Sequence, residues 1–163
     1  MPLSVRDIMK AEVKTVPPEM TLPDLERAFL EEQVSGFPVV RGAKLVGIIS
    51  RSDVVRQLSV EQSVAEVISD YHRDMTDFES DPVESLHEIA TRVGERVEHL
   101  QVKDLMVEKV FTVSPDHSIE DAARLLIKHH IHRVPVVKDG QVVGILTTLD
   151  IVRLFTDGRA ATA

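Results

Sequence analysis

The sequence has no cysteine, which removes disulfide frameworks, cysteine-based metal sites and thiol nucleophiles, and which fits a reducing compartment. No window approaches the roughly 20 apolar residues that a bilayer-spanning helix needs. The opening residues Met1 to Asp7 lead into no apolar stretch, so no secretory signal is expected and the expected location is cytoplasmic. Positive charge is not in excess: 19 Lys and Arg stand against 27 Asp and Glu, a net charge of −8. A chain of this sign lacks the basic footprint that holds a phosphate backbone, so neither nucleic acid nor a membrane is expected as a partner. There is no P-loop, no glycine-rich dinucleotide fingerprint and no defensible Ser-His-Asp arrangement, so the chain is not expected to be an enzyme.

What the chain has instead is an internal repeat. Val5-Arg6-Asp7-Ile8-Met9 returns as Val102-Lys103-Asp104-Leu105-Met106. Thr15-Val16-Pro17-Pro18 returns as Thr112-Val113-Ser114-Pro115, and Phe37-Pro38-Val39-Val40 as Val134-Pro135-Val136-Val137. Val46-Gly47-Ile48 through Asp53 returns as Val143-Gly144-Ile145 through Asp150. The offset is 97 residues throughout, with no gap from Val5–Leu58 onto Val102–Phe155. A duplicated unit that pairs with its copy about a pseudo-two-fold axis is the natural outcome.

The charge follows this division. Residues 1–58 and 102–163 are each balanced, with 8 basic and 8 acidic side chains, while 59–101 hold 3 basic and 11 acidic. We therefore divide the chain into a first repeat (1–58), an acidic insert (59–101), a second repeat (102–157) and a flexible tail (158–163).

Each repeat reads β-α-β-β-α. Val13–Val16 and Val110–Val113 are short β-type runs. Thr21 and Ser118 are placed as helix N-caps. Behind them Leu22, Leu25 and Phe29, and Ile119, Ala122, Ala123, Leu126 and Ile127, fall at helical spacing. Two apolar runs then flank a turn, which is a strong hairpin signal at Asp139-Gly140 and a weaker one at Arg41-Gly42-Ala43. A short amphipathic helix closes each repeat through Val54, Val55 and Leu58, and through Ile151, Val152, Leu154 and Phe155. The fold class is α/β.

With Asp-Ile/Leu-Met, Thr-Val-x-Pro, apolar-Pro-Val-Val and Gly-Ile-x-Ser/Thr-x-x-Asp present twice, the sequence resembles a tandem pair of CBS domains. The resemblance implies two repeats packed into one Bateman module with two clefts, and modules that pair into homodimers. It implies regulation in place of catalysis. The ligand would be an adenosine-containing nucleotide (AMP, ADP, ATP or S-adenosylmethionine), no separate cofactor is needed, and an unidentified partner protein would read the signal. Carried over position by position, the ribose would meet Asp53 and Asp150, and ribose or phosphate would meet Ser50 and Thr147. Gly36, Phe37 and Pro38, and Val134 and Pro135, would present backbone and apolar surface to the adenine, with Thr15 and Thr112 lining the same clefts. The pair His132-Arg133 resembles the phosphate-contacting His-Arg pair in the gamma subunit of AMP-activated protein kinase; Ser35-Gly36 stand at that place in the first repeat, where Arg51 is the available cation. The two clefts are therefore not expected to be equivalent.

The same residues admit a plainer reading. Ser50 with Asp53 and Thr147 with Asp150 are spaced like helix capping boxes, and Val16 and Val113 fit a packing role. His129, His130 and His132 straddle a helix end, where cationic side chains suit the helix dipole, and no metal site is expected there; His72, His87 and His99 are expected to face solvent. The insert shows apolar stripes at Val60, Val64, Val67, Ile68, Tyr71, Met75 and Phe78, and again at Leu86, Ile89, Ala90, Val93, Val97 and Leu100. Two amphipathic helices are expected, broken at Asp81-Pro82. The alternative function is a ligand-independent interaction or oligomerisation module that works through this acidic insert.

Overall fold

The computed structural model describes residues 3–60, 94–95 and 97–157. Its principal elements in chain order are α1 (Leu22–Glu31), β1 (Gly36–Arg41), β2 (Lys44–Ser50), α2 (51–60), α3 (Ile119–Lys128), β3 (Arg133–Lys138), β4 (Gln141–Thr147) and α4 (Thr148–Thr156). A 3-10 turn at Val5–Asp7 and one helical turn at Val102–Leu105 open the halves. The class is mixed α/β, as the residue pattern predicts.

Local chemistry sets the boundaries. The Thr21 hydroxyl accepts from the Asp24 N–H at 3.4 Å and donates to Asp24 Oδ2 at 2.8 Å. Ser118 does the same with Asp121 at 3.0 and 2.8 Å. Each cap contributes about 1 kcal/mol to its helix. Gln33 and His130, just past the ends of α1 and α3, hold φ of 51° and 53°, the left-handed conformation that closes a helix. Asp139 and Gly140 both have positive φ, 52° and 79°, which fits the two-residue turn that matches strand twist. Gly42 at φ 63° turns β1 into β2.

The four strands form one sheet in the order β1-β2-β4-β3. β2 lies antiparallel to β4 with Lys44 opposite Gln141. β3 lies antiparallel to β4 from Arg133 opposite Thr147 to Lys138 opposite Gln141, with an irregularity between Val136 and Val137. Pro38 and Pro135 sit in the two edge strands, where a missing N–H is tolerated.

The β-runs expected over 13–16 and 110–113 shrink to single parallel bridges, Val16 to Val39 and Val113 to Val136. Pro17 has no N–H to extend the first ladder. In the second half the Ser114 N–H is taken by His117 Nδ1 at 3.0 Å.

The chain forms two compact units that cut across the repeats: Met1–Pro17, Pro38–Ile48 and Val107–Ala163 in one, Pro18–Phe37 and Ile49–Met106 in the other. Within the first unit the Val5 N–H donates to the His117 carbonyl at 2.9 Å, Arg6 N–H to Pro115 at 3.0 Å, and Ile119 N–H to Leu3 at 3.2 Å. Within the second, Val102 N–H donates to Met20 at 2.9 Å, Lys103 N–H to Pro18 at 2.9 Å, and Leu22 N–H to Leu100 at 3.0 Å. Each bond of one set is the other moved by 97 residues. The opening segment of each repeat is thus bonded to the other repeat.

Burial follows the same rule. Val5 is fully buried in a cluster with Val113, Ala122, Leu126, Val134, Val136 and Leu146. Removing a side chain of that size from water is worth about 1.5–3 kcal/mol, enough to hold a short turn against its chain entropy. In the second unit Phe29 stacks on Phe37 with centroids 5.1 Å apart, and Leu25, Ile49 and Val102 are fully buried.

The paired amphipathic helices expected within 59–101 lie outside the described residues apart from their ends, as does the tail from Gly158. No helix among the described residues is long and apolar enough to cross a membrane.

Candidate functional site

At the end of β2 the chain passes directly into α2, and at the end of β4 into α4. Both junctions are built the same way. The Ser50 hydroxyl accepts from the Asp53 N–H at 3.4 Å and donates to Asp53 Oδ2 at 2.6 Å, and the Ser50 N–H donates to that same oxygen at 2.8 Å. The Thr147 hydroxyl accepts from the Asp150 N–H at 3.2 Å and donates to Asp150 Oδ2 at 2.6 Å, and the Thr147 N–H donates there at 2.9 Å. The capping role is therefore present in both halves. It engages one carboxylate oxygen and holds the side chain in place. The other oxygen faces an arginine one helical turn on, Arg56 at 3.3 Å and Arg153 at 3.6 Å. Both carboxylates are withdrawn from solvent, with the Asp53 side chain 11% and the Asp150 side chain 5% exposed. A fixed carboxylate with free lone pairs can accept from a vicinal diol.

The strand starts lie against these turns. The Arg51 N–H donates to the Ser35 carbonyl at 3.1 Å, and the Thr148 N–H to the His132 carbonyl at 3.0 Å. Arg133 stands directly opposite Thr147. Ser35 and His132 are exposed, while Gly36, Phe37, Pro38, Val134 and Pro135 are buried. Thr15 and Thr112 are exposed beside the bridging Val16 and Val113. His132, Arg133, Val134, Pro135, Thr147 and Asp150 thus share one hydrogen-bonded frame.

Not every expected residue converges. Thr112 lines a cavity of about 490 Å³ with Lys44, Val137, Asp139 and Gln141, which does not include Asp150. Asp150 lines a separate cavity of about 230 Å³ with Asp7, Met9, Lys10, Arg153 and Asp157. Arg51 points back along α1: its guanidinium donates to the Phe29 carbonyl at 3.0 Å and lies 5.5 Å from the Phe29 ring centre. There it caps carbonyls at the C-terminal end of a helix, where a cation is favoured, and borders an apolar cavity of about 310 Å³ with Glu26, Leu30, Val54, Val55 and Leu58.

Sequence reasoning missed Met9 and Lys10 beside Asp150. The repeated Val-x-Asp-x-Met motif marked their segment as an element, but not that it bonds to the opposite repeat. The Lys10 N–H donates to the Ile145 carbonyl at 3.0 Å, and the Ile145 N–H to the Lys10 carbonyl at 2.9 Å. Val107 pairs in the same way with Ile48.

The histidines have local roles. The His129 ring stacks on Phe111 with centroids 3.8 Å apart. His99, His130 and His132 are exposed; His72 and His87 lie outside the described residues. Among the described residues no three His, Asp or Glu side chains gather as a metal site would require.

The family profile described as CBS domain matches residues 5–60 and again 102–157. An uncharacterized protein of Methanocaldococcus jannaschii is 35% identical over 156 residues, covering 91% of this chain and 88% of that protein. Two further relatives from that archaeon are longer, and the chain spans 40% and 42% of them. In structure the chain is similar to CBSX2, a protein of Arabidopsis thaliana, in complex with AMP: the TM-score is 0.68 at 26% identity, over 96% of this chain and 98% of that one. It is also similar in fold to the CBS domain pair of protein MJ0100 in complex with 5′-methylthioadenosine and S-adenosylmethionine, with a TM-score of 0.66 at 23% identity over 97% and 99% of the two chains. Since the two matched segments begin 97 residues apart, at the spacing that also relates the opening segments and the capped Asp turns, the chain belongs to the CBS domain family.

Proposed function

We propose that this chain is a regulatory module, not an enzyme, which binds an adenosine-containing nucleotide (AMP, ADP, ATP or S-adenosylmethionine) and passes its occupancy to a separate protein in the cytoplasm. The observation that carries the reading is the pair of withdrawn carboxylates, Asp53 and Asp150. Each has one oxygen held by its own turn, and the other faces only an arginine more than half exposed. A ribose diol is a natural donor to such an oxygen. The AMP of CBSX2 and the S-adenosylmethionine and methylthioadenosine of the MJ0100 pair all contain an adenosine unit, which supports that ligand class. In the first half Ser35, Gly36, Phe37 and Ser50 complete the contact set; Arg51 joins only by leaving the Phe29 carbonyl. In the second half His132, Arg133, Val134, Pro135 and Thr147 do so; Thr112, which lines a cavity apart from Asp150, is left outside the set.

Regulation requires that the nucleotide bind one arrangement of the protein better than another. We also place a homodimer in this reading. Leu30 is 72% exposed, and Ile127 and Phe155 are 74% and 73% exposed, so these apolar helix side chains are available to a second copy.

The test is thermal shift and calorimetry of the whole chain with AMP, ADP, ATP and S-adenosylmethionine. A ligand at one hundred times its Kd stabilises the fold by about 2.7 kcal/mol. Stabilisation by one of the four is the expected result. No shift with any of them would sink the nucleotide reading and leave the interaction module, with the acidic insert as its working surface, in its place.

A further inference from the structure

The cavity beside Asp150 contains a cation that the second repeat does not supply. Lys10 comes from the opening segment of the first repeat and is carried there by its two backbone bonds to Ile145. The other charged side chains around it are already engaged. Asp7 Oδ2 accepts from the Ser4 N–H and hydroxyl, both at 2.7 Å. Asp150 is held by Thr147 and faces Arg153. Asp157 accepts from the Thr156 hydroxyl at 3.5 Å. The Lys10 ammonium, by contrast, has no hydrogen bond or ion pair among the described residues. An ammonium on a four-carbon stem is a mobile point charge with three donors, suited to an anion whose position is set by other groups.

The first half has no equivalent. Its counterpart of Lys10 is Val107, bonded to Ile48 through the same two backbone bonds but carrying no charge. The asymmetry therefore adds to that of His132-Arg133 against Ser35-Gly36.

Resting on the nucleotide reading of Asp150, we infer that Lys10 is a specificity-determining residue of the second site: it contacts the phosphate of a nucleotide whose ribose is held at Asp150. Asp150 and Lys10 line the same cavity, so a ribose held at Asp150 lies within that cavity's reach of the Lys10 ammonium. Asp7 and Asp157 on the same cavity repel a phosphate, and Lys10 offsets them. The second site thereby selects phosphate-bearing ligands over the bare nucleoside, and it does so with a residue borrowed from the first repeat.

The experiment is calorimetric titration of the full chain and of Lys10→Gln with two probes, AMP and adenosine, at low salt. Lys10 is exposed and only its backbone is bonded, so the variant keeps the wild-type melting temperature. Loss of one charge-assisted contact to phosphate weakens AMP about tenfold and leaves adenosine unchanged. Lys10→Arg retains AMP affinity, and raising the salt narrows the gap between wild type and Lys10→Gln. Wild-type AMP binding that Lys10→Gln leaves intact overturns the assignment of Lys10 alone. An equal loss of AMP and adenosine also overturns it, because the residue would then act on the frame and not on the phosphate. If wild type binds neither probe, the Lys10 assignment falls, and the nucleotide reading of the site falls with it only when ADP, ATP and S-adenosylmethionine also fail to bind.

Discussion

Gly144 on β4 lies against the opening segment of the first repeat. A Cβ placed there would stand 2.6 Å from Met9 Sδ, 3.2 Å from Met9 Cγ and 3.1 Å from the Lys10 carbonyl oxygen. The sulfur contact cannot persist, so something must move in Gly144→Ala. Met9 is flexible and borders the cavity beside Asp150, but it is half-buried against the cluster around Val5, so moving it gives up packing there. A forced rotamer costs about 0.5–1.5 kcal/mol. The Lys10 oxygen is backbone and accepts from the Ile145 N–H at 2.9 Å; lengthening that bond forfeits part of about 0.5–1.5 kcal/mol. Against these stands a gain of about 0.4–1 kcal/mol from a less flexible unfolded chain. The balance is a loss of about 1 kcal/mol, at the low end of the usual range for overpacking, or about 2–4 °C in Tm for each kcal/mol in a chain of this size. Urea denaturation followed by circular dichroism reads it directly. Met9→Ala makes room for the new methyl, so the double variant should lose about 1 kcal/mol less than the sum of the two single ones. If Gly144→Ala is as stable as wild type, or the two changes are additive, the opening segment does not dock on β4 as described.

Other consequences follow from the same geometry. Asp150→Ala leaves the Thr147 N–H and hydroxyl without their shared acceptor, so it lowers stability by about 1–2 kcal/mol in a melting experiment and abolishes nucleotide binding at the second site; unchanged binding by calorimetry would refute the ribose role. His130→Gly relieves a left-handed φ of 53° at an exposed position and raises stability by about 0.5–1 kcal/mol, a reading that a lower Tm would contradict. Phe155→Glu, at a side chain 73% exposed, leaves the melting temperature of the fold intact and, on the homodimer proposal, converts dimer to monomer in light scattering; a monomeric wild type would refute that proposal, and a dimer that persists in the variant would place its interface elsewhere.

What the sequence by itself determined is local or repeated. The helix caps at Thr21 and Ser118, the Asp139-Gly140 turn and the Ser50–Asp53 and Thr147–Asp150 boxes join residues no more than three apart, so residue type and spacing suffice to place them. The repeat established that the local elements of one half return 97 residues on in the other. What only the tertiary structure decided concerns partners far apart in the chain, most of them in opposite repeats. Val5 lies in the core of the second half, Lys10 stands beside Asp150, and Val102 donates to Met20, because an apolar opening turn too short to bury itself is covered by the repeat it does not belong to. The direction of Arg51 belongs to the same class. Its charge was legible, but whether the guanidinium meets a phosphate or the Phe29 carbonyl depends on where α1 ends in space. Periodicity records which face of an element is buried; it carries no information about which of two near-identical halves buries it.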